Sequence, residues 1–225
     1  MLSAIVLAAG KSRRFAAKFS KVISKIGPYP AVYYSLFTLN RHPDIDEIIV
    51  VACPENIKEI SALVRRYKID KAGKIVLGGR ERRDSVFKGL KSLGPGVDYV
   101  LIHDAARPFI NRDMVSSVVL AAKRSGAAVT GVLAKDTIKE VTGFIVRKTL
   151  KREGLWVIQT PQVFRKALVL KAYEKFSRVK ATDDAMLVEK LGAKVSVVKG
   201  SYSNIKITTP EDLVIAKAIL GKKLW

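Results

Sequence analysis

Short Val- and Ile-rich runs that are apolar on both faces recur along this chain, separated by longer amphipathic segments. A strand apolar on both faces is stable only when layers cover both sides of its sheet, the condition met by a parallel sheet flanked by helices. The runs Ser3–Ala8, Glu47–Ala52, Lys74–Leu77, Tyr99–His103, Ala127–Leu133 and Lys194–Val198 predict its strands. Helical patterns fall between and after them, at Ala31–Arg41, Glu55–Tyr67, Asp84–Leu93, Arg112–Arg124, Arg165–Phe176, Asp183–Leu191 and Pro210–Leu220. The alternation implies right-handed βαβ units and a three-layer α/β fold. Helix starts are marked by Asn111 ahead of Arg112-Asp113, by Thr182 ahead of Asp183-Asp184, and by Thr209 with Pro210 in the first turn.

One segment breaks the pattern. Asp136–Val141 and Phe144–Leu150 alternate polar and apolar residues around Thr142-Gly143, which predicts a β-hairpin. A two-stranded ribbon is marginally stable alone in water. The arm, residues 135–152, is therefore expected to pack against a second copy of the chain, within a single domain spanning residues 1–225.

Composition excludes several classes. No run of about 18 apolar residues is present, so no membrane-spanning helix is expected. The N-terminal run lacks the charged flank and cleavage site of a secretory leader and reads as a core strand. Cys53 is the single cysteine; it excludes an internal disulfide, fits a reducing cytoplasm, and stands before Pro54 as a strand-end residue. With only His42 and His103 beside it, a Cys/His zinc site lacks ligands. The net charge of +21 calls for a polyanionic partner. The cations are spread along the whole chain, aromatics are 8%, and no RNA-recognition, zinc-finger or K homology signature is present. Small phosphate ligands are expected before nucleic acid.

Four polar clusters carry the chemistry, and most follow predicted strands. Ligands in open parallel sheets bind at the carboxyl ends of strands, so these clusters are expected to share one cleft. The first strand ends in Ala8-Ala9-Gly10 and meets Lys11-Ser12-Arg13-Arg14, then Lys18 and Lys21. Such a turn lets backbone N–H groups approach a polyphosphate while cations neutralise it. It matches neither GxxxxGK[ST] nor GxGxxG. In the second cluster, Gly78 and Gly79 leave room for a flat base or a phosphate, and Ser85 adds a directional hydrogen bond. In the third, His103-Asp104-Ala105-Ala106-Arg107-Pro108, Asp104 can bind a hydroxyl or help place Mg²⁺, and Arg107 can fork onto an anion. In the fourth, Asn204–Asp212, Lys206 lies between two isoleucines, which predicts a mid-strand lysine projecting away from the core.

The ordered set of Ala8-Ala9-Gly10 with Arg13-Arg14, GGxERxxS, HDAARP, GLWxxxTPQ, TDD and NIKxTxPED resembles the 2-C-methyl-D-erythritol 4-phosphate cytidylyltransferases of the non-mevalonate isoprenoid pathway, from Ser3 to about Leu220. The resemblance implies a three-layer Rossmann-like nucleotidyltransferase fold with a mostly parallel sheet and a protruding β-hairpin arm. It implies attack of the 4-phosphate of methylerythritol on the α-phosphate of CTP, giving the CDP-sugar alcohol and pyrophosphate, with Mg²⁺ required. Arg14 and Lys21 match the cations that contact the triphosphate and stabilise the transition state. Ala8, Ala9, Gly10, Gly79 and Ser85 match the CTP site. Asp104, Arg107, Thr160, Thr182 and Lys206 match the acceptor site, as do Thr137 and Arg152 on the arm and its return. In the family that arm crosses a homodimer and completes the neighbour's site.

The chain departs from the family pattern in three places. Ser12 stands where glycine is usual, Ser20-Lys21-Val22 where Pro-Lys-Gln is usual, and Arg80 where some relatives carry an acidic residue. Lys18 and Lys25 therefore compete with Lys21 for its role, and cytosine recognition falls to backbone groups and Ser85. Two other readings stay open at this point. One is a ribitol-5-phosphate cytidylyltransferase, whose motifs are very similar; the other, from a different class, is a basic RNA-binding α/β protein.

Overall fold

A computed structural model describes residues 1–10 and 21–222. Strand β1 (Leu2–Leu7) is followed by a short ribbon, β2 (Lys25–Ile26) and β3 (Tyr29–Pro30), and by helix α1 (Ala31–Arg41). Then β4 (Glu47–Ala52), α2 (Ile57–Arg66), β5 (Lys74–Leu77), α3 (Arg82–Lys91), β6 (Tyr99–Asp104), α4 (Arg112–Ser125) and β7 (Ala127–Leu133) alternate along the chain. The hairpin strands β8 (Lys139–Thr142) and β9 (Ile145–Thr149) lead to the long strand β10 (Trp156–Arg165). Helices α5 (Lys166–Lys175) and α6 (Ala185–Glu189), strand β11 (Ser196–Lys199) and helix α7 (Pro210–Gly221) complete the fold.

Seven described strands form one sheet in the order β11-β7-β10-β6-β1-β4-β5. Parallel pairs join β1 to β4 and β6, β4 to β5, and β7 to β11. Period-two alternation sorts the strand side chains into two cores. Ala4, Val6, Ile48, Val50 and Leu101 pack under α1, α2 and α4 with Leu36, Ile60 and Val115. Ile5, Ile49, Val51 and Ile102 face the other way, onto Val86 of α3, Val169 of α5 and Leu187 of α6. These are the three layers expected from strands apolar on both faces. Helix α7 closes a smaller cluster, with Ala216 and Ile219 against Ile26, Tyr34 and Phe109.

The structure corrects the strand reading at β10. This strand lies between β6 and β7 and runs antiparallel to both. Pro161 hides it in the sequence, because proline cannot donate to a ladder and argues against a central strand. Here the register slips between Gln159 and Gln162, so Pro161 sits in an irregularity where no ladder donor is required.

Three further local readings shift. Helix α6 begins at Ala185, where Asp183 Oδ1 accepts from the Met186 backbone N–H at 3.0 Å, so Thr182 does not cap it. Residues 204–208 form no strand, so Lys206 is placed by a loop that follows the cleft wall rather than by strand alternation. In the arm, Thr142 pairs with Ile145, and the two-residue turn is Gly143-Phe144, one residue later than expected. Both turn residues have positive φ, 53° and 66°, as a type I′ turn requires. The other helix starts hold: Asn111 Oδ1 accepts from Met114 N at 2.9 Å, and Asp212 Oδ2 accepts from Thr209 N at 2.9 Å.

Candidate active site

The carboxyl ends of β1, β5 and β6 open onto a cleft of about 410 Å³. Ala9 and Gly10 enter it from the end of β1, Gly79 and Ser85 from the turn into α3, Asp104 from the end of β6, and Lys206 from the loop before α7. Lys21 also lines it, whereas Lys25 lies at a separate hollow beside Gly27 and Lys217. Arg14 and Lys18 lie outside the described residues. Ala8 stands behind the cleft: it is buried, its N–H donates to Val51 O at 2.7 Å, and its carbonyl accepts from Asn56 Nδ2 at 2.9 Å.

The glycine pair has a packing role as well. A Cβ on Gly78 would stand 2.5 Å from Ala9 Cβ and 2.7 Å from Ser85 Oγ; one on Gly79 would stand 2.1 Å from Asp84 Cβ. These glycines let the turn close onto β1 and α3, and Gly79 also lines the cleft. The closed turn is held by Ser85 Oγ, which accepts from Gly79 N–H at 3.1 Å and donates to Glu81 O at 3.1 Å.

Asp104 is the electrostatic centre. Its Oδ1 accepts from Arg82 Nε at 3.1 Å and its Oδ2 from Lys206 Nζ at 2.6 Å. Burial opposes ionisation of this carboxyl, but Arg82 and Lys206 more than offset it and hold the group well below the usual carboxylate range. A chain of hydrogen bonds fixes the backbone behind it. Asp104 N–H donates to Thr160 Oγ1 at 3.1 Å, and the Thr160 hydroxyl lies 3.0 Å from His103 Nδ1. His103 Nε2 lies 3.0 Å from the Arg107 carbonyl, an acceptor only, so the proton sits on Nε2 and Thr160 donates to Nδ1. Burial lowers the His103 pKa to about 4, which keeps the ring neutral.

Arg107 does not reach the cleft lining; it donates from NH1 to Asn204 O at 2.7 Å. Asn204 Nδ2 in turn donates to Thr160 O at 3.0 Å. Arg107 and Thr160 thus pin the Lys206 loop to β6 and β10. Thr182 is exposed on the turn before α6. Thr137 and Arg152 come together at a separate hollow at the base of the arm, where Arg152 NH1 donates to Lys135 O. Within one chain they do not join the cleft.

Arg82 and Asp184 fall within GGxERxxS and TDD, yet no sequence pattern assigns a role to either of them or to Tyr173. Arg82 bridges Asp104 to Asp184, a carboxylate with no exposure that also accepts from the Tyr173 hydroxyl. The sequence signal was Asp184 at the head of the apolar segment Ala185–Val188. A carboxylate there needs a cation, and Arg82 lies 102 positions away.

Among the described residues, no group of three or more His, Cys, Asp or Glu side chains is placed to hold a metal. Glu81 and Asp104 are the carboxylates of the cleft, and each Asp104 oxygen already faces a cation. This donor set suits an ion that arrives on a polyphosphate better than one caged by protein, the usual preference of Mg²⁺. No helix among the described residues is long and apolar enough to cross a membrane.

Comparison with known proteins gives a consistent result. The family model described as "IspD: 2-C-methyl-D-erythritol 4-phosphate cytidylyltransferase" matches residues 2–222. A protein of that name from Clostridium botulinum is 44% identical over 224 residues, covering 98% of this chain and 97% of the relative. One from Halalkalibacterium halodurans is 45% identical over 223 residues, with the same two coverages. The crystal structure of 4-diphosphocytidyl-2C-methyl-D-erythritol synthase from Anaerococcus prevotii superposes with a TM-score of 0.88 at 36% identity, covering 98% of both chains. A cytidylyltransferase of the same name as the sequence relatives, from Thermus thermophilus, gives 0.78 at 32% identity, covering 96% of this chain and 98% of its own.

Proposed function

The chain belongs to the 2-C-methyl-D-erythritol 4-phosphate cytidylyltransferase family, and from that premise we propose how its cleft carries out the family reaction. The protein is a CTP-dependent nucleotidyltransferase of the non-mevalonate isoprenoid pathway. The acceptor's 4-phosphate oxygen attacks the α-phosphorus of CTP in line. A new P–O bond forms, the bond to the bridging oxygen breaks, and pyrophosphate leaves with 4-diphosphocytidyl-2-C-methyl-D-erythritol as product. The observation that carries this reading is the meeting of Ala9, Gly10, Gly79, Ser85, Lys21, Asp104 and Lys206 in one cleft. The alternatives, a ribitol-5-phosphate acceptor and an RNA-binding protein, give way to the full-length match.

Transfer between phosphates demands positioning and charge neutralisation more than covalent chemistry. Ala8, Ala9, Gly10, Gly79 and Ser85 form the nucleotide half of the site, with Ala8 acting by fixing the turn. Arg14 and Lys21 neutralise the triphosphate; Lys21 lines the cleft, whereas Lys25 lies at a separate hollow. Lys206 meets the acceptor phosphate. Asp104 holds Lys206 in place and offers its remaining lone pairs to acceptor hydroxyls. Arg107 and Thr160 orient that pair, and Thr182 borders the acceptor. When bound, Mg²⁺ would supply neutralisation of the transferring phosphate; triphosphate oxygens would hold most of it, with Asp104 the protein carboxylate that could assist.

The whole chain works as one nucleotidyltransferase domain, and its segment 135–152 is a dimerisation arm. Val141, Phe144, Ile145 and Val146 of the arm are all more than half exposed, an unpaid hydrophobic cost that a second copy would relieve. In the homodimer, Thr137 and Arg152 of each copy reach the other's cleft. A single half-buried cysteine is compatible with work in the cytoplasm.

Pyrophosphate release from CTP and Mg²⁺ with each sugar-alcohol phosphate tests the assignment. Methylerythritol 4-phosphate should support turnover and ribitol 5-phosphate should not. Turnover with ribitol 5-phosphate alone would reassign the acceptor. Salt-sensitive RNA retention without any turnover would replace the enzyme reading altogether.

A further inference from the structure

Arg82 sits in the first turn of α3 and uses its guanidinium in two directions at once. Nε donates to Asp104 Oδ1 at 3.1 Å, while NH1 and NH2 donate to the two oxygens of Asp184 at 2.9 and 2.8 Å. Asp184 is fully buried, takes the Tyr173 hydroxyl as its third donor, and does not line the cleft. Arg82 itself lines the cleft, with 31% of its side chain exposed. One guanidinium therefore joins the end of β6 to the turn at residues 182–184, and Tyr173 anchors that turn to α5.

We propose that Arg82 is a positioning residue that sets the distance between Asp104 and the Thr182–Asp184 turn, and through it the affinity for the acceptor. The proposal rests on the acceptor site described above. Asp104 is clamped at both oxygens, by Lys206 on one side and Arg82 on the other, so removing Arg82 frees its side chain to rotate. Asp184 would keep only the Tyr173 hydroxyl, and a buried carboxylate stripped of its cation is strongly destabilised where it stands. It would turn outward or take up a proton, and either change displaces Thr182, two residues away. The turn of the nucleotide half has supports of its own. Its turn is held by Gly79, Ser85 and Glu81 through bonds that do not pass through Arg82. Lysine cannot substitute, because a single ammonium lacks the planar fork that spans both carboxylates.

The test is steady-state kinetics of the full-length enzyme, with both substrates varied, for Arg82→Lys, Asp184→Asn and Tyr173→Phe. Arg82→Lys and Asp184→Asn should each raise the KM for the acceptor about tenfold while kcat and the KM for CTP move less than threefold. The double variant should be no worse than the more severe single one, since both break the same link. Tyr173→Phe removes one hydroxyl and should raise the acceptor KM a few-fold. It decides the matter if the other two variants do not fold. An unchanged acceptor KM in the folded variants overturns the proposal, as does an equal loss through kcat or the KM for CTP. Wild-type protein that is inactive with methylerythritol 4-phosphate would instead overturn the functional reading itself.

Discussion

Lys206 Nζ lies 2.6 Å from Asp104 Oδ2, a contact between residues 102 positions apart that closes one wall of the cleft. The pair is only partly shielded, with 38% of the lysine side chain and 10% of the aspartate side chain exposed. Its role is therefore geometric: the carboxylate fixes where the ammonium stands. Asp104→Asn should leave Lys206 unanchored, and Lys206→Met should remove the charge outright. Each is expected to lower kcat/KM by on the order of 10²–10³, the usual cost of one preorganised charge-stabilising group. The double variant should fall well short of the product of the two losses; independent, multiplicative losses would separate the roles of the two residues. Because Asp104 is held ionised below the usual carboxylate range, it should contribute no acid limb to the rate profile between pH 5 and 8.

His103 predicts a stability that depends on pH. Burial lowers its pKa to about 4, whereas an unfolded histidine titrates near 6.5. Between those values the unfolded chain binds the extra proton, so stability should decline as pH falls from about 6.5 towards 4. The full effect is on the order of 3 kcal/mol at the acid end. His42 is also lowered by burial and adds a slope of the same sign. The comparison of wild type with His103→Gln isolates the His103 share, since glutamine can still donate to Arg107 O and accept from Thr160. Urea midpoints from pH 7 to 4.5 should fall less steeply for the variant. Parallel curves would mean that His103 does not carry this linkage.

At Gly78 and Gly79 the backbone packs too closely against its neighbours to admit a methyl group. An added Cβ at Gly78 would force Ala9 and Ser85 apart at 2.5 and 2.7 Å, and both residues line the cleft. Gly78→Ala should therefore cost about 1–3 kcal/mol, the range for overpacking, and raise the KM for CTP more than that for the acceptor. Thermal unfolding and two-substrate kinetics on the same protein check both halves. A variant of normal stability and normal CTP affinity would show that the turn has slack that the close contacts deny.

The fold was legible where one periodicity governed a whole element. Strands β1, β4, β5, β6 and β7 and helices α1 and α4 follow from apolar runs and caps that tertiary contacts do not override. Strand β10 was not legible, because Pro161 forbids a regular ladder and only the neighbouring strands β6 and β7 make an irregular one worthwhile. The site divides the same way. Asp104 ends β6, and Gly79 and Ser85 lie in the turn after β5 and the start of α3, so topology brings them to one edge. Lys206 reached the cleft for a different reason from the one expected: its loop is pinned through Arg107 and Asn204, a link no local pattern displays. Arg82 and Asp184 carry opposite charges far apart in sequence, and pairing them requires knowing that α3 and the turn before α6 meet.

The arm offers the sharpest test of how the site is completed. Thr137 and Arg152 lie together at its base and away from the cleft of their own chain, and the arm strands are exposed along their whole length. If Arg152 serves the opposite copy, then Arg14→Ala and Arg152→Ala damage the same site from two chains. Either variant alone should lose on the order of 10²–10³ in kcat/KM. Mixed and re-equilibrated in equal amounts, half of the dimers would be hybrids, and each hybrid would hold one site with both arginines intact. Activity should return to about a quarter of the wild-type level, as two-fold symmetry with random exchange requires. Hybrid dimers verified by mass and still inactive would place Arg152 in the service of its own chain, and the arm would then have to fold back rather than across.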